Sequence, residues 1–206
     1  MINPKLVLNK KGRNKTIRIA IFIMVFLLMS VLYFFVSNSH SGSLNIKPGK
    51  SAMSKQQFFN TIAPTAEQIY KQDKIFASIT LAQAMLESGT GNSALTRKAN
   101  NLFGIKAFNW TGKTIKMQTE EHNDGVDVVT MGTFRSYDNW GESIEDHTNF
   151  LLENSTYKRH GVFKATTYTD QAKALQASGY ATDPNYAKEL VTLIKEYNLD
   201  KYDNVK

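Results

Sequence analysis

The sequence predicts an α+β fold that is predominantly α and is preceded by one N-terminal transmembrane helix. Three observations support this prediction. Most of residues 54–206 shows helical periodicity, one segment around residues 124–125 alternates as a β-hairpin, and residues 19–36 form an uncharged apolar run. The chain has 206 residues, 42% of them hydrophobic and 21% charged, which is typical of one globular domain with an appendage.

The first predicted element is the apolar run IAIFIMVFLLMSVLYFFV at residues 19–36. As a helix it is about 27 Å long, which matches the hydrocarbon core of a bilayer. The six charged residues before it are all basic, and basic residues favour the cytoplasmic side. We therefore expect a basic cytoplasmic tail (1–18), a single-pass anchor (19–36) in the cell membrane and an extracytoplasmic remainder. A cleaved signal peptide is the alternative, but the run is long for one and no A-x-A-like site follows it.

Residues 37–53 are rich in serine and glycine, which predicts a flexible tether to a globular domain at 54–206. The formal charge of +7 belongs mostly to the tail, because the residues after the anchor carry 19 basic against 18 acidic side chains. A nucleic-acid partner is therefore not expected. The chain has no cysteine, and its four histidines lack metal-ligand spacing, so no metal site is predicted.

Helices are expected to dominate the globular domain. Ser54 can cap a first helix to about Tyr70, which Pro64 would kink or split. A second helix, at about 75–88, ends at Gly89, and a short helix follows near 92–98. Further on, the pattern predicts a helix whose apolar face includes Trp140 and His147, a helix capped by Thr169, and a final helix with Pro184 in its first turn.

The β-hairpin prediction depends on residues 114–134. Alternating residues from Thr114 onwards and the Asp124-Gly125 pair indicate two strands joined by a two-residue turn. This register places Glu121 opposite Val128 and on the same face as the apolar residues, an unusual position for a solubilising charge.

Glu87 is the first candidate for chemistry, because it lies at the C-terminal end of a largely apolar helix. Apolar neighbours and the negative end of the helix dipole both raise the pKa of a carboxyl group. A raised pKa suits a general acid, and Glu121 could supply the second carboxylate that glycoside hydrolysis needs. From position alone, an ordinary exposed helix-terminal glutamate and a strand-end glutamate remain the alternatives.

The chain resembles glycoside hydrolase family 73, the glucosaminidases related to flagellar and autolysin hydrolases. Five blocks carry the resemblance, in the family's order: FASITLAQAMLESGTGNSAL (76–95), NNLFGIKA (100–107), TEEHNDG (119–125), FRSYDNWGESIEDHTNFL (134–151) and GYATDPNYAKEL (179–190). The resemblance implies a lysozyme-like fold in which an α-lobe and a small β-hairpin lobe bound a glycan groove.

By this resemblance, Glu87 is the general acid and Glu121 the second glutamate. A catalytic tyrosine falls in the last block, where Tyr180 is favoured and Tyr186 is the alternative. The implied substrate-binding residues are Asn101, Phe103, Gly104, Lys106, Trp110 and Tyr186.

The implied reaction is hydrolysis of the β-1,4 bond after N-acetylglucosamine in peptidoglycan, by a monomeric catalytic domain that needs no cofactor. Glu121 could activate water or stabilise the oxocarbenium-like state, or the substrate's N-acetyl group could attack. A muramidase or lytic transglycosylase on the same frame, a non-catalytic wall-binding scaffold and a structural membrane protein remain alternatives.

Overall fold

The computed structural model describes residues 53–123 and 126–204, and the side chains of residues 120–128 lie outside this description. Seven α-helices, two 3-10 turns and one two-stranded sheet form in the described residues. In chain order the helices are α1 (Lys55–Asp73), α2 (Ala77–Ser88), α3 (Ala94–Ala99), α4 (Trp140–Glu153), α5 (Ser155–Arg159), α6 (Tyr168–Ala177) and α7 (Tyr186–Tyr197). The strands are β1 (Thr114–Asn123) and β2 (Val126–Arg135), and the 3-10 turns are Val162–Lys164 and Leu199–Asp203. The mostly helical α+β prediction is confirmed.

Helix α1 begins as the sequence predicts, at a capping box. The Ser54 hydroxyl accepts from the Gln57 backbone N–H, and the Gln57 side chain accepts from the Ser54 backbone N–H. Of the two predicted effects of Pro64, a kink or a split, the split does not occur, because α1 runs unbroken to Asp73. Proline removes only one helical hydrogen bond, and the buried side chains on either side of it, including Ile62 and Ala66, keep the helix packed on the core.

Helix α2 is the centre of the α-lobe and packs against α1, α6, α7 and the last 3-10 turn. All of its residues except Leu86 are buried. It begins at Ala77, two residues later than predicted, because Phe76 has the non-helical backbone conformation of a cap residue, with φ −53° and ψ 132°. The free backbone N–H of Phe76 donates to Gln171 Oε1 of α6. It ends at Gly89, whose left-handed φ of 58° closes the helix as the sequence predicts.

The hairpin has the predicted register: Ile115 pairs with Phe134 and Glu121 with Val128. One face, with Phe134, Ile115 and Met117, packs against the short helix α3. Residues 105–107 lie along the other edge of β2, through the Lys106–Phe134 bridge and the neighbouring backbone hydrogen bonds. The hairpin is therefore held to the α-lobe at its base.

The C-terminal half corrects two predicted helix starts. Thr167, rather than Thr169, caps α6, because its hydroxyl accepts from the Asp170 backbone N–H. Pro184 precedes α7 instead of lying in its first turn, since Asn185 occupies the cap position. The last 3-10 turn was not predicted, and it places Asp203 at the start of α2, where it accepts from the Ser78 backbone N–H.

Across residues 53–123 and 126–204, no helix combines the length and apolar character needed to cross a membrane. The predicted cytoplasmic tail, anchor and most of the tether (1–52) lie outside the described residues.

Candidate active site

Glu87 occupies the last turn of α2 and is 7% exposed. Burial raises the pKa of its carboxyl group from 4.5 to about 8; hydrogen bonding with Tyr186 opposes this rise, and the charge of Glu189 adds to it. At neutral pH the Glu87 carboxyl therefore carries a proton. A buried carboxyl that keeps its proton at neutral pH can act as a general acid.

Tyr186, the first residue of α7, faces Glu87. Gln83 precedes Glu87 by one helical turn, so both side chains leave the same face of α2. Gln83 Nε2 donates to the Tyr186 hydroxyl at 2.9 Å, and Gln83 and Tyr186 are both buried. The phenol of Tyr186 is thus fixed between an amide donor and the carboxyl group of Glu87.

Tyr180 lies behind Tyr186, with the two rings stacked at 5.4 Å between centroids and 21° between planes. Its hydroxyl is 2.9 Å from His147 Nε2 on α4. The imidazole of His147 stacks in turn on Phe103, at 3.9 Å and 10°. Burial lowers the pKa of His147 to about 3, so this imidazole is neutral at neutral pH.

The structure therefore brings both candidate tyrosines next to Glu87. Tyr186 forms the hydrogen bond with the Glu87 carboxyl, whereas Tyr180 lies behind Tyr186 and its hydroxyl contacts His147. The assignment of Tyr180 as the catalytic tyrosine stays a prediction.

Sequence reasoning missed Glu189, the carboxylate whose charge raises the pKa of Glu87. It lies three residues after Tyr186 on α7, so the two share one helix face. The three-residue spacing of Tyr186 and Glu189 on a helix was the sequence signal that could have identified Glu189. The backbone of Glu121 lies at the predicted register position, but its side chain lies outside the described residues, so its catalytic role also stays a prediction.

Two predicted substrate-binding residues have clear structural roles. Asn101 is buried, its Nδ2 donates to the backbone oxygens of Ile105 and Arg135, and its Oδ1 accepts from the Ile105 backbone N–H. It thereby joins the α3–β1 loop to strand β2. Phe103 is buried in the main core against His147. Their contacts with a glycan stay predictions.

Gly104 and Lys106 lie between these residues and the hairpin. Gly104 has a left-handed φ of 68°, which explains the need for glycine there. Lys106 is largely buried where its backbone bridges to Phe134. Their part in substrate binding stays a prediction.

Trp110 is half-buried, and its ring is clamped. The Arg135 guanidinium lies 4.4 Å from the ring centroid, and the indole Nε1 donates to the Lys113 backbone oxygen at 3.0 Å. Arg135 is itself held by Asp146, whose two carboxylate oxygens lie 2.7 and 2.8 Å from its Nη1. We call Trp110, Arg135 and Asp146 the tryptophan clamp. It gives a rigid aromatic surface of the kind that stacks on sugar rings.

No group of three or more histidine, cysteine, aspartate or glutamate side chains in the described part of the chain could hold a metal ion. The groups gathered at Glu87 are acid–base and hydrogen-bonding groups.

A buried carboxyl that keeps its proton at neutral pH is the kind of group that serves as the general acid of a glycoside hydrolase. The family model described as glucosaminidase, mannosyl-glycoprotein endo-β-N-acetylglucosaminidase, matches residues 63–199. The chain belongs to this family, glycoside hydrolase family 73, and is a glycosidase. The resemblance found in the sequence is thus confirmed.

Individual relatives agree with this membership. The chain is 35% identical to the exo-glucosaminidase LytG of Bacillus subtilis, over 95% of this chain and 70% of that protein. It is 36% identical to an N-acetylmuramoyl-L-alanine amidase domain-containing protein of Staphylococcus aureus, over 82% of this chain but only 27% of that protein. The catalytic domain of the autolysin Auto from Listeria monocytogenes has a similar structure: the TM-score is 0.66 at 30% identity, covering 97% of this chain and 100% of that one.

Proposed function

We propose that this enzyme hydrolyses the β-1,4 bond after N-acetylglucosamine within peptidoglycan glycan strands, with Glu87 as the general acid. One observation carries the proposal: Glu87 is buried at the end of α2, and burial raises its pKa to about 8. Family membership supports the choice of bond, and the autolysin and glucosaminidase relatives support the choice of polymer.

In this reaction Glu87 gives its proton to the departing glycosidic oxygen while positive charge develops on the sugar ring. Tyr186 holds one carboxyl oxygen of Glu87 and so limits its rotation. Two routes for the second half of the reaction remain open. Glu121 activates water or stabilises the charged sugar, or the substrate's own N-acetyl group attacks and a tyrosine steadies it.

Glycan binding is assigned to the groove beside the hairpin. The tryptophan clamp offers a rigid stacking surface, and the Asn101, Gly104 and Lys106 segment lines the hairpin base. Stacking on a fixed indole loses little conformational entropy, which favours binding to an extended polysaccharide.

The direct test is digestion of purified peptidoglycan by the full chain, followed by mass spectrometry of the reduced products. Release of fragments ending in reduced N-acetylglucosamine is expected. Glu87→Gln keeps the shape of the side chain but cannot donate the proton, so its rate should fall by about 100-fold or more. Equal release by Glu87→Gln would overturn the proposed acid.

The same digest separates the alternatives. Reduced N-acetylmuramic acid ends indicate a muramidase, 1,6-anhydro ends indicate a lytic transglycosylase, and no release by the folded enzyme indicates a wall-binding scaffold. Because one relative is named an exo-glucosaminidase, early products should also be sized. Mixed-length fragments support internal cleavage, whereas stepwise release from one end supports an exo enzyme.

Membrane attachment is the second part of the proposal. Support comes from the uncharged residues 19–36 and the six basic residues before them. A tether of residues 37–53 would reach about 20–25 Å as a coil, or roughly 60 Å extended, which restricts cutting to membrane-proximal glycan. The protein should stay with membranes in high salt, and external protease should remove the domain but spare an N-terminal tag. Salt-released protein would contradict this attachment.

A further inference from the structure

His147 is the histidine of α4 that reaches the tyrosines beside Glu87, and it is 1% exposed. Two contacts fix its ring. Phe103 stacks on one face at 3.9 Å, and the ring edge presents Nε2 to the Tyr180 hydroxyl at 2.9 Å. A buried imidazole costs free energy unless its polar atoms are used, so this contact requires an explanation beyond packing.

Tyr180 links His147 to the tyrosine beside Glu87 by packing. Its ring stacks on Tyr186 at 5.4 Å between centroids and 21° between planes. Burial raises the pKa of both phenols, so both stay protonated at neutral pH. The hydrogen bond between His147 and the Tyr180 hydroxyl therefore fixes one ring of this stacked pair.

Tyr186 is the second ring of the pair and the one that reaches the acid. Its hydroxyl accepts from Gln83 Nε2 at 2.9 Å, and its hydrogen bonding with Glu87 lowers the pKa of that carboxyl group against the effect of burial. Displacing the Tyr180 ring would therefore displace the Tyr186 hydroxyl relative to Glu87.

We propose that His147 is a positioning residue whose imidazole Nε2 forms a hydrogen bond with the Tyr180 hydroxyl and thereby holds the stacked rings of Tyr180 and Tyr186 in place beside Glu87. This inference rests on the proposed function, in which Glu87 is the acid. His147 does not exchange protons during the reaction, because it stays neutral over the pH range in which Glu87 titrates.

A double-mutant cycle on the full chain tests this role. The variants are His147→Phe, Tyr180→Phe and the pair, measured for kcat and KM on soluble peptidoglycan glycan strands and for thermal unfolding. The matched control is Ser143→Ala, one turn earlier on α4, where a buried hydroxyl accepts from the Leu102 backbone N–H at 3.0 Å. Ser143→Ala removes a comparable buried hydrogen bond from the same helix without touching the tyrosines.

We expect His147→Phe to lower kcat by about 10- to 100-fold, as misplacement of a catalytic group does, while KM changes by less than about 3-fold. Ser143→Ala should lower the unfolding temperature and keep kcat. Adding His147→Phe to Tyr180→Phe should lower kcat no further, because the partner hydroxyl is already gone. Independent losses that multiply, or an unchanged kcat in folded His147→Phe, would overturn the role.

A further pair of variants keeps the test decisive if His147→Phe does not fold. His147→Gln, whose amide can form a hydrogen bond with the Tyr180 hydroxyl, should retain more kcat than His147→Leu. Equal kcat in the two variants would contradict the proposal. Glu87→Gln is assayed in parallel. If Glu87→Gln is fully active, the proposed function fails. If Glu87→Gln is inactive but the kcat losses of His147→Phe and Tyr180→Phe multiply, only the role of His147 is excluded.

Discussion

The buried side chains around Glu87 and the tryptophan clamp beside the hairpin are built in opposite ways. The first consists of uncharged groups, the imidazole of His147, two phenols and the Gln83 amide, all closed off from water. The second is a partly exposed cation, carboxylate and indole, with Arg135 and Asp146 about 15% exposed. The difference indicates a division of labour. Burial sets the proton affinity of the acid, and the clamp holds a surface on which a polymer can lie.

The largest expected effect is on the pH dependence of the free energy of unfolding, and it tests the buried groups around Glu87. In the unfolded chain Glu87 ionises near pH 4.5, but in the folded protein only near pH 8. Below pH 4.5 Glu87 is protonated in both the folded and the unfolded state. Between pH 4.5 and 8 Glu87 ionises only in the unfolded state, which stabilises that state and lowers the free energy of unfolding of the wild type. Glu87→Gln has no such loss, so its free energy of unfolding relative to wild type should rise by a few kcal/mol between pH 4 and pH 9.

Urea unfolding of both proteins at several pH values measures this difference. A difference that stays constant from pH 4 to pH 9 would mean that Glu87 ionises normally in the folded state. The assignment of the acid–base chemistry to the buried region would then fail.

The second effect tests the tryptophan clamp. A Cβ at residue 112 would lie 2.5–2.8 Å from the indole of Trp110, so Gly112→Ala must displace that ring. We expect KM for soluble glycan to rise by about 3- to 10-fold, corresponding to the loss of about 1 kcal/mol of stacking, with kcat nearly unchanged. Gly161→Ala is the control: its Cβ meets no atom within 4 Å, and its left-handed φ of 81° makes the change a stability cost alone. A fall in kcat at unchanged KM would show that the clamp belongs to the chemical step.

The smallest effect concerns Glu189, the carboxylate on α7 whose charge acts on the buried Glu87. Its carboxylate raises the pKa of Glu87, so Glu189→Gln should lower that pKa and move the alkaline limb of the kcat profile down by less than about 1 pH unit. Glu196→Gln removes the same charge about 10 Å further along α7 and should leave the limb in place. The shift should shrink in high salt, since Glu189 is partly exposed to solvent. An upward shift would contradict the sign of the interaction.

The sequence alone predicted the elements that follow from local rules. The Ser54 cap, the Gly89 stop and the register of the hairpin were correct, because capping, left-handed glycines and strand alternation depend on a few neighbouring residues. Of the kink or split predicted at Pro64, the split did not occur, for the complementary reason. Whether a helix survives a proline depends on what packs against it from elsewhere in the chain.

For the site, the sequence alone placed Glu87 at the end of an apolar helix and identified the family, and it also fixed the charge of the tail. The tertiary structure decided that Glu87 is buried, that Tyr186 lies against it and that Glu189 of α7 raises its pKa. It also brought His147 of α4 to Tyr180. The reason is physical: a pKa depends on desolvation and on charges within a few ångströms. Those neighbours come from residues about 60 to 100 positions apart, which only the fold brings together.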